Sequence, residues 1–375
     1  MKRKLLQLSV VVLAGLAVLM LGSFDAFAVG VLDPIDRPAT MSKNPERSVL
    51  LAVTTAGNRL VAVGERGYII FSDDNGASWT QGSVPVSVTL TAVRFATPKA
   101  GWALGHSGIV LHTDDGGATW VKQLDGAKAA QLALDEAKAK KQAGQGDAEA
   151  LDRAVENAEL LMKDGPDKPF LDMYFENEKT GFIIGAYNLI FHTDDAGKTW
   201  KPLLDRVENP KGFHLYGIRP LGADLFMAGE QGTFLRSQDR GMTFGAVSTP
   251  YHGSYFGLLP LKSGELIIFG LRGNAFRSTD LGVKWDKVET GSAFSITAGR
   301  ELKDGSIVMT TQSGDVVVSR DKGRTFKLVP LKEPFPISDI VQAENGSVVL
   351  VGLRGMRFIA DPAKLGGPGT DGVDK

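Results

Sequence analysis

GHSGIVLHTDDGGATW, residues 105–120, opens on a Gly-x-x-Gly turn, runs through a β-rich stretch and closes on a polar turn and a tryptophan. The polar turn returns five more times: SDDNGASW at 72–79, TDDAGKTW at 193–200, SQDRGMTF at 237–244, STDLGVKW at 278–285 and SRDKGRTF at 319–326. Its opening Ser or Thr stands at 72, 113, 193, 237, 278 and 319, with spacings of 41, 80, 44, 41 and 41 residues. The spacing of 80 is one period plus an insertion of 39 residues. Self-similarity at a fixed period near 41 residues marks a repeat architecture.

Gly-x-x-Gly recurs at 64–67, 105–108, 229–232, 270–273 and 352–355, with GAYN at 185–188 and TQSG at 311–314 in the other two units, so the chain has seven repeats. The first unit reads as four short strands at 48–54, 59–64, 68–73 and 79–84. Glycine punctuation and richness in Val, Ile and Phe exclude a helical solenoid. The pattern predicts an all-β, seven-bladed β-propeller over residues 29–363. The seventh unit, VGLRGMRFIAD, has no polar turn after it, which leaves its sheet one strand short. Residues 29–41, VGVLDPIDRPATM, are expected to pair there and close the ring.

The polar turn Ser/Thr-x-Asp-x-Gly-x-Thr-Trp, the Asp box, suits a tight hairpin. Its Asp bonds nearby amides and its Gly tolerates positive φ. Asp74, Asp115, Asp195, Asp239, Asp280 and Asp321 fill the first role, and Trp79, Trp120, Trp200, Phe244, Trp285 and Phe326 are expected to pack between sheets. Six copies around a rim cannot converge on one substrate, so the box reads as a structural rivet and not as metal or catalytic chemistry.

In a four-stranded blade the Asp boxes join the outer two strands on one face. The Gly-x-x-Gly turns join the middle two on the other, beside the connections between blades. That second face is the expected binding face. Its turns carry Arg66, Arg272 and Arg354 at matching positions, with Glu65 beside Arg66 and His106, Tyr187 and Gln231 in the turns of other blades. The connections PKGFHLYG at 210–217 and PYHGSYFG at 250–257 add Tyr216 and Tyr255, with Phe213, Tyr251 and Phe256. Arginines with aromatics are interface chemistry. The insertion lies on the same face. Residues 126–163 are rich in Ala, Leu, Lys and Glu and are broken at AGQG, 143–146, which predicts a helical hairpin with Leu151, Val155, Ala158 and Met162 on one side of its second helix.

The N-terminus reads as a leader: Lys2, Arg3 and Lys4, an apolar run from Leu5 to Gly22, and Ala26-Phe27-Ala28 as a cleavage site, giving residues 1–28 as a signal peptide. With no cysteine anywhere, disulfides and thiolate catalysis are excluded. These features predict a periplasmic, monomeric protein, and residues 364–375 are expected to form a disordered tail. The formal charge of −1 carries no nucleic-acid signature.

Seven units of the form GWALGHSGIVLHTDDGGATW, with Arg in several Gly-x-Arg-Gly turns and an export signal, resemble the photosystem II stability/assembly factor-like family. The resemblance covers about residues 45–360 apart from the insertion. It implies a propeller that binds a membrane protein complex through an arginine-rich face, onto which Arg66, Arg272 and Arg354 map. It also implies a periplasmic accessory, such as one serving resistance-nodulation-division exporters, where the host lacks photosystems. No cofactor or metal is implied, and the chain is expected not to be an enzyme. The alternative is a glycan-binding or sialidase-like glycoside hydrolase, since sialidases also carry Asp boxes. YGIRP at 216–220 is a poor match to the sialidase arginine motif, and no Gly-x-Ser-x-Gly, His-x-x-x-His or phosphate loop is present.

Overall fold

A computed structural model describes residues 32–362 and Leu365. The chain divides into a short unit, Met1–Asp33, and one large unit, Pro34–Lys375. The predicted leader and residues 366–375 of the predicted tail lie outside the described residues. Seven antiparallel sheets follow one another, six with four strands and the last with three. Their innermost strands are Leu50–Ala56, Leu90–Phe95, Phe170–Phe175, Leu215–Leu221, Tyr255–Pro260, Ile296–Glu301 and Ile337–Gln342. Each packs on the next, and the seventh packs on the first, so the sheets form a closed seven-bladed propeller.

The core is a set of seams between blades. Strands in each sheet are apolar on both faces, because both faces are covered by neighbouring blades. The Asp boxes hold the seams. In blade two, Thr113 Oγ1 donates to Asp115 Oδ1 (2.8 Å) and accepts from Gly117 N (3.0 Å). Asp115 also accepts from Thr119 N (2.9 Å) and Thr119 Oγ1 (2.6 Å). This satisfied knot places Trp120 in the seam with blade one, 4% exposed, where its Nε1 donates to Gly117 O (2.9 Å). The same bonds to the Asp and the opening hydroxyl recur around Asp74, Asp195, Asp239 and Asp321, and all except the hydroxyl bond at the seventh position of the box recur around Asp280, where Lys284 replaces the Thr. The indole bond recurs at Trp79, whereas Trp200 and Trp285 Nε1 are buried without a partner among the described residues. Trp79, Trp200, Phe244, Trp285 and Phe326 occupy the corresponding seams.

Among the described residues, 32–41 do not supply the expected fourth strand of 29–41 to blade seven, whose order there is three strands. From Pro34 onward this segment lies against blades one and two instead. Ala39 N donates to Val84 O (3.0 Å), Ser87 N to Pro34 O (2.8 Å), and Ile35 and Ala39 pack on the blade one–two seam. Pro34 and Pro38 have no amide to give a ladder, which disfavours the expected strand. Closure comes from the seam formed by Leu50, Val53, Leu60, Val341, Val349 and Val351. Val53 N → Asp339 Oδ2 (3.0 Å) and Asn345 N → Asn75 Oδ1 (3.2 Å) cross it.

Blade seven keeps the register of the box but not its opening hydroxyl. Ile359 faces Val348 as Ser72 faces Leu60, and Asp361 follows two residues later, as Asp74 follows Ser72. Leu365 is buried in the blade six–seven seam, the kind of slot the tryptophans fill elsewhere, so the predicted disordered tail is corrected at this residue.

Two helices are inserted between blades two and three: α1, Gly126–Ala143, and α2, Ala148–Asp164. Asp125 and Asp147 cap their first turns by accepting from Lys128 N and Ala150 N, each at 3.0 Å. Gly144 ends α1 in the left-handed conformation, φ 62°. Ala137, Val155 and Ala158 pack the helices together, while Ala129, Leu132 and Leu161 pack on the blade two–three seam. Met162, expected on one side with Val155 and Ala158, is 37% exposed, because the buried stripe continues from Ala158 to Leu161.

Candidate protein-binding face

The Gly-x-x-Gly turns are built by close approach. A Cβ on Gly64 would lie 2.0 Å from Val49 O, and one on Gly67 2.1 Å from Val86 O, so the incoming and outgoing connections both cross the turn where a side chain would stand. Between the glycines the turn is 3-10, and its middle residue takes a left-handed conformation: Arg66 (φ 54°), Ser107 (56°), Tyr187 (54°), Gln231 (51°) and Arg272 (58°). In three blades the amide of that residue is met from the next blade. Tyr187 N donates to His214 Nδ1 (3.0 Å), Gln231 N to Ser254 Oγ (3.3 Å) and Arg272 N to Ser295 Oγ (3.4 Å).

Arg66 and Arg272 occupy this position, exposed, with no side-chain acceptor among the described residues. Arg354 does not share their conformation. Blade seven connects Gly352 directly to its pairing partner Gly355, so its turn is one residue shorter, and Arg354 stands exposed on a two-residue hairpin. Glu65 is half-buried, its Oε1 accepting from Val49 N (3.3 Å), while His106 and Gln231 are exposed. Tyr187 is 57% exposed and Tyr216 half-buried. Tyr255 is corrected: it is wholly buried in the blade four–five seam and cannot reach a partner, and burial pushes its hydroxyl up to about 12.

The turns and connections of blades three to five bring aromatics into one run. Lys168 Nζ lies 5.4 Å over the Tyr187 ring. Tyr187 meets His214 at 4.7 Å, His214 meets Tyr216 at 6.2 Å, and Tyr216 meets Phe256 at 5.6 Å, each pair crossed at 70–86°. The run ends on blade five, whose turn carries Arg272.

Below this mouth the innermost strands leave backbone groups facing the channel, and charged side chains cover them. Asp172 accepts from Ile218 N (3.0 Å) and is held by Arg94 Nη2 (3.4 Å) and by Arg219. Asp339 accepts from Val53 N and from Ile340 N (2.8 Å), and Arg300 donates to Ile340 O (3.1 Å). Unpaired strand edges are otherwise costly, so these side chains blunt the inner edges of blades one, four and seven. Burial, with Arg219 adding repulsion against the pull of Asp172, lowers the Arg94 guanidinium to about 10. Arg219, quoted above as part of YGIRP, is one of these channel residues.

His214 and the channel arginines were legible only in register. His214, Ser254 and Ser295 each precede an innermost strand, and Arg94, Arg219 and Arg300 each stand fifth in one. The repeats aligned on their first strand would have shown both. His112 and His192 are buried beside their Asp boxes, and both ring nitrogens of His112 are engaged, by Gly101 O (3.0 Å) and Asp114 Oδ1 (2.9 Å).

Among solved structures, "YCF48 bound to D1 peptide" matches with a TM-score of 0.61 at 15% identity, covering 88% of this chain and 98% of that one. YCF48 from Cyanidioschyzon merolae matches at 0.62 and 14%, covering 87% and 99%. The GH74 enzyme of Niastella koreensis matches at 0.60 and 12%, over 84% of this chain and 52% of that one. At these identities the likeness is one of fold. No curated protein matches the chain. A family model described as photosynthesis system II assembly factor YCF48 matches residues 71–145 and 154–285, more than half of the sequence. With seven blades in one closed ring, six of them carrying an Asp box, the chain belongs to the YCF48 family of photosynthesis system II assembly factors.

Proposed function

We propose that the protein is a non-catalytic, periplasmic accessory factor that docks a membrane protein complex through the face of its Gly-x-x-Gly turns. The observation that carries this reading is the exposure of Arg66, Arg272 and Arg354 on that face, with no carboxylate among the described residues to pair with them. Free guanidiniums bind carboxylates in planar, bidentate pairs, which suits an acidic segment of a partner. A YCF48 solved with D1 peptide is the precedent for peptide binding on this fold. In a host without photosystems the partner would be an exporter or another inner-membrane assembly.

The test is an affinity pull-down of the mature chain from detergent-solubilised native membranes, beside an Arg66/Arg272/Arg354→Ala variant. A membrane subunit recovered with the wild type and lost with the variant is the expected result. Equal recovery, or no membrane subunit with either, overturns it. The fold likeness to a GH74 enzyme favours a second reading, glycan binding or hydrolysis. Glycosidases need a carboxylate pair free to act on substrate, whereas Asp172 and Asp339 in the channel are committed to backbone amides. A glycan array and a fluorogenic sialoside assay decide between the two.

A further inference from the structure

The innermost strands of blades two, four and six carry arginine in one register. Arg94, Arg219 and Arg300 lie opposite Trp102, Phe226 and Val308 of the second strands. The same position in blades one, three, five and seven holds Thr54, Tyr174, Leu259 and Val341. Three guanidinium arms therefore come from alternate blades at one level of the channel, and no acid shares that level. The channel carboxylates, Asp172 and Asp339, stand third in the strands of blades three and seven. Glu301, next to Arg300, is occupied elsewhere, its Oε2 accepting from Lys262 N (2.7 Å).

The charges do not balance. Arg94 Nη2 (3.4 Å) and Arg219 Nη1 share the single carboxylate of Asp172. Asp339 directs its two oxygens at Val53 N (3.0 Å) and Ile340 N (2.8 Å) and makes no ion pair among the described residues. Arg300 Nε and Nη2 reach only a carbonyl, Ile340 O (3.3 and 3.1 Å). Three guanidiniums thus have one carboxylate in contact. Burial lowers both Arg94 and Arg300, and repulsion from Arg219 acts on both, so the three charges lie within reach of one another. Yet the Arg94 and Arg219 side chains stay 24% and 28% exposed. They stand in space that protein surrounds and solvent enters, where a small ion can supply the missing negative charge.

The bonds of Arg219 indicate the shape of that ion. Only its Nη1 is engaged, by Asp172 and by Ile218 O (2.6 Å). Nε–H and Nη2–H lie along one edge of the planar group and have no acceptor among the described residues. This edge receives two oxygens side by side, as the same edge of Arg59 receives both oxygens of Asp73 (2.7 and 2.8 Å). We propose that the channel is a binding site for a small planar oxyanion of the carboxylate class, held bidentately by Arg219 with Arg94 and Arg300 as flanking positive charges. The site is separate from the Gly-x-x-Gly face and does not depend on the docking reading.

The test is isothermal titration of the purified protein with formate at constant ionic strength. Saturable binding at one site is expected. Arg219→Lys keeps the charge but loses the planar edge, and Arg300→Gln removes the charge but keeps a donor. Each should weaken binding at least tenfold, with folding verified by circular dichroism. Arg66/Arg272/Arg354→Ala should bind formate as the wild type does. A second measurement needs no variant: replacing chloride by formate at fixed ionic strength should raise the wild-type unfolding midpoint saturably. Absent saturation, an unmoved midpoint, undiminished affinity in both channel variants, loss of binding in the turn variant, or chloride binding as tightly as formate would each overturn the proposal.

Discussion

Protonating one Asp-box carboxylate should loosen its blade by an amount that the structure bounds. Asp321 accepts from Ser319 Oγ (2.8 Å), Thr325 N (3.0 Å), Arg324 N (3.0 Å) and Thr325 Oγ1 (2.6 Å). Burial alone would raise its pKa, but the hydroxyl and amide donors outweigh it and hold the carboxyl at about 2, against an ordinary value of 3.8. The folded value lies below the unfolded one. The stabilisation is therefore complete above about pH 4 and is lost as pH falls toward 2. The shift corresponds to at most about 2.5 kcal/mol, and solvent screening at this partly exposed turn reduces it to about 1 kcal/mol. Asp321→Asn keeps the volume but cannot accept at its amide nitrogen, so it should cost about 1–2 kcal/mol at pH 7. Urea unfolding of wild type and variant at pH 7, 4, 3 and 2 measures the gap. It should close as pH falls from 4 to 2. A gap that is absent at pH 7, or constant down to pH 2, would refute the argument that the charged carboxylate is the rivet.

Trp120→Ala empties the blade one–two seam at a 4%-exposed position and should cost about 3–5 kcal/mol in the same denaturation assay. Tyr187→Gly removes a bulky residue from φ 54° and should stabilise the chain by about 0.5–1 kcal/mol in urea unfolding, even as it removes the ring that meets His214. Joining Gly126 to Pro166 deletes the hairpin between two residues already in contact, since a Cβ on Gly126 would sit 2.3 Å from Pro166 O. That variant should fold with unchanged β-sheet circular dichroism and a lower unfolding midpoint, because Ala129, Leu132 and Leu161 no longer cover the blade two–three seam. Binding of an acidic partner segment by wild type should weaken as salt rises, and this dependence should shrink in Arg66/Arg272/Arg354→Ala, as isothermal titration at two ionic strengths would show.

Legibility of the fold and of the face differed for a physical reason. The polar turn, its Gly and its aromatic are local chemistry repeated six times, and local chemistry repeated at a fixed period leaves few architectures that can bury the resulting strands. The all-β propeller followed from the turn beginning at Thr113 and its copies. The strand exit at Gly64 and Gly67 was likewise legible, because close backbone crossing admits no Cβ. Repeat equivalence then misled at three places. Arg354 shares the letters of Gly-Leu-Arg-Gly with Arg272, but a turn one residue shorter gives it another conformation. Tyr255 shares a connection with Tyr216, but it points into a seam instead of the mouth. The segment from Pro34 has the length of a closing strand, but its prolines and its apolar Ile35 and Ala39 fit a different seam.

The sequence by itself determined what depends on neighbours along the chain: the repeat, the strands, the rivets, and the helix caps at Asp125 and Asp147. Only the tertiary structure decided what depends on neighbours across blades. It closed the ring through Val53 and Asp339, 286 residues apart, and it joined Arg94, Asp172 and Arg219 from three blades at the inner edges. It also set His214 of blade four against Tyr187 of blade three, whose amide it receives. A strand records its own alternation of side chains, but which seam each side chain enters is fixed by the register between sheets, and that register exists only once the ring has closed.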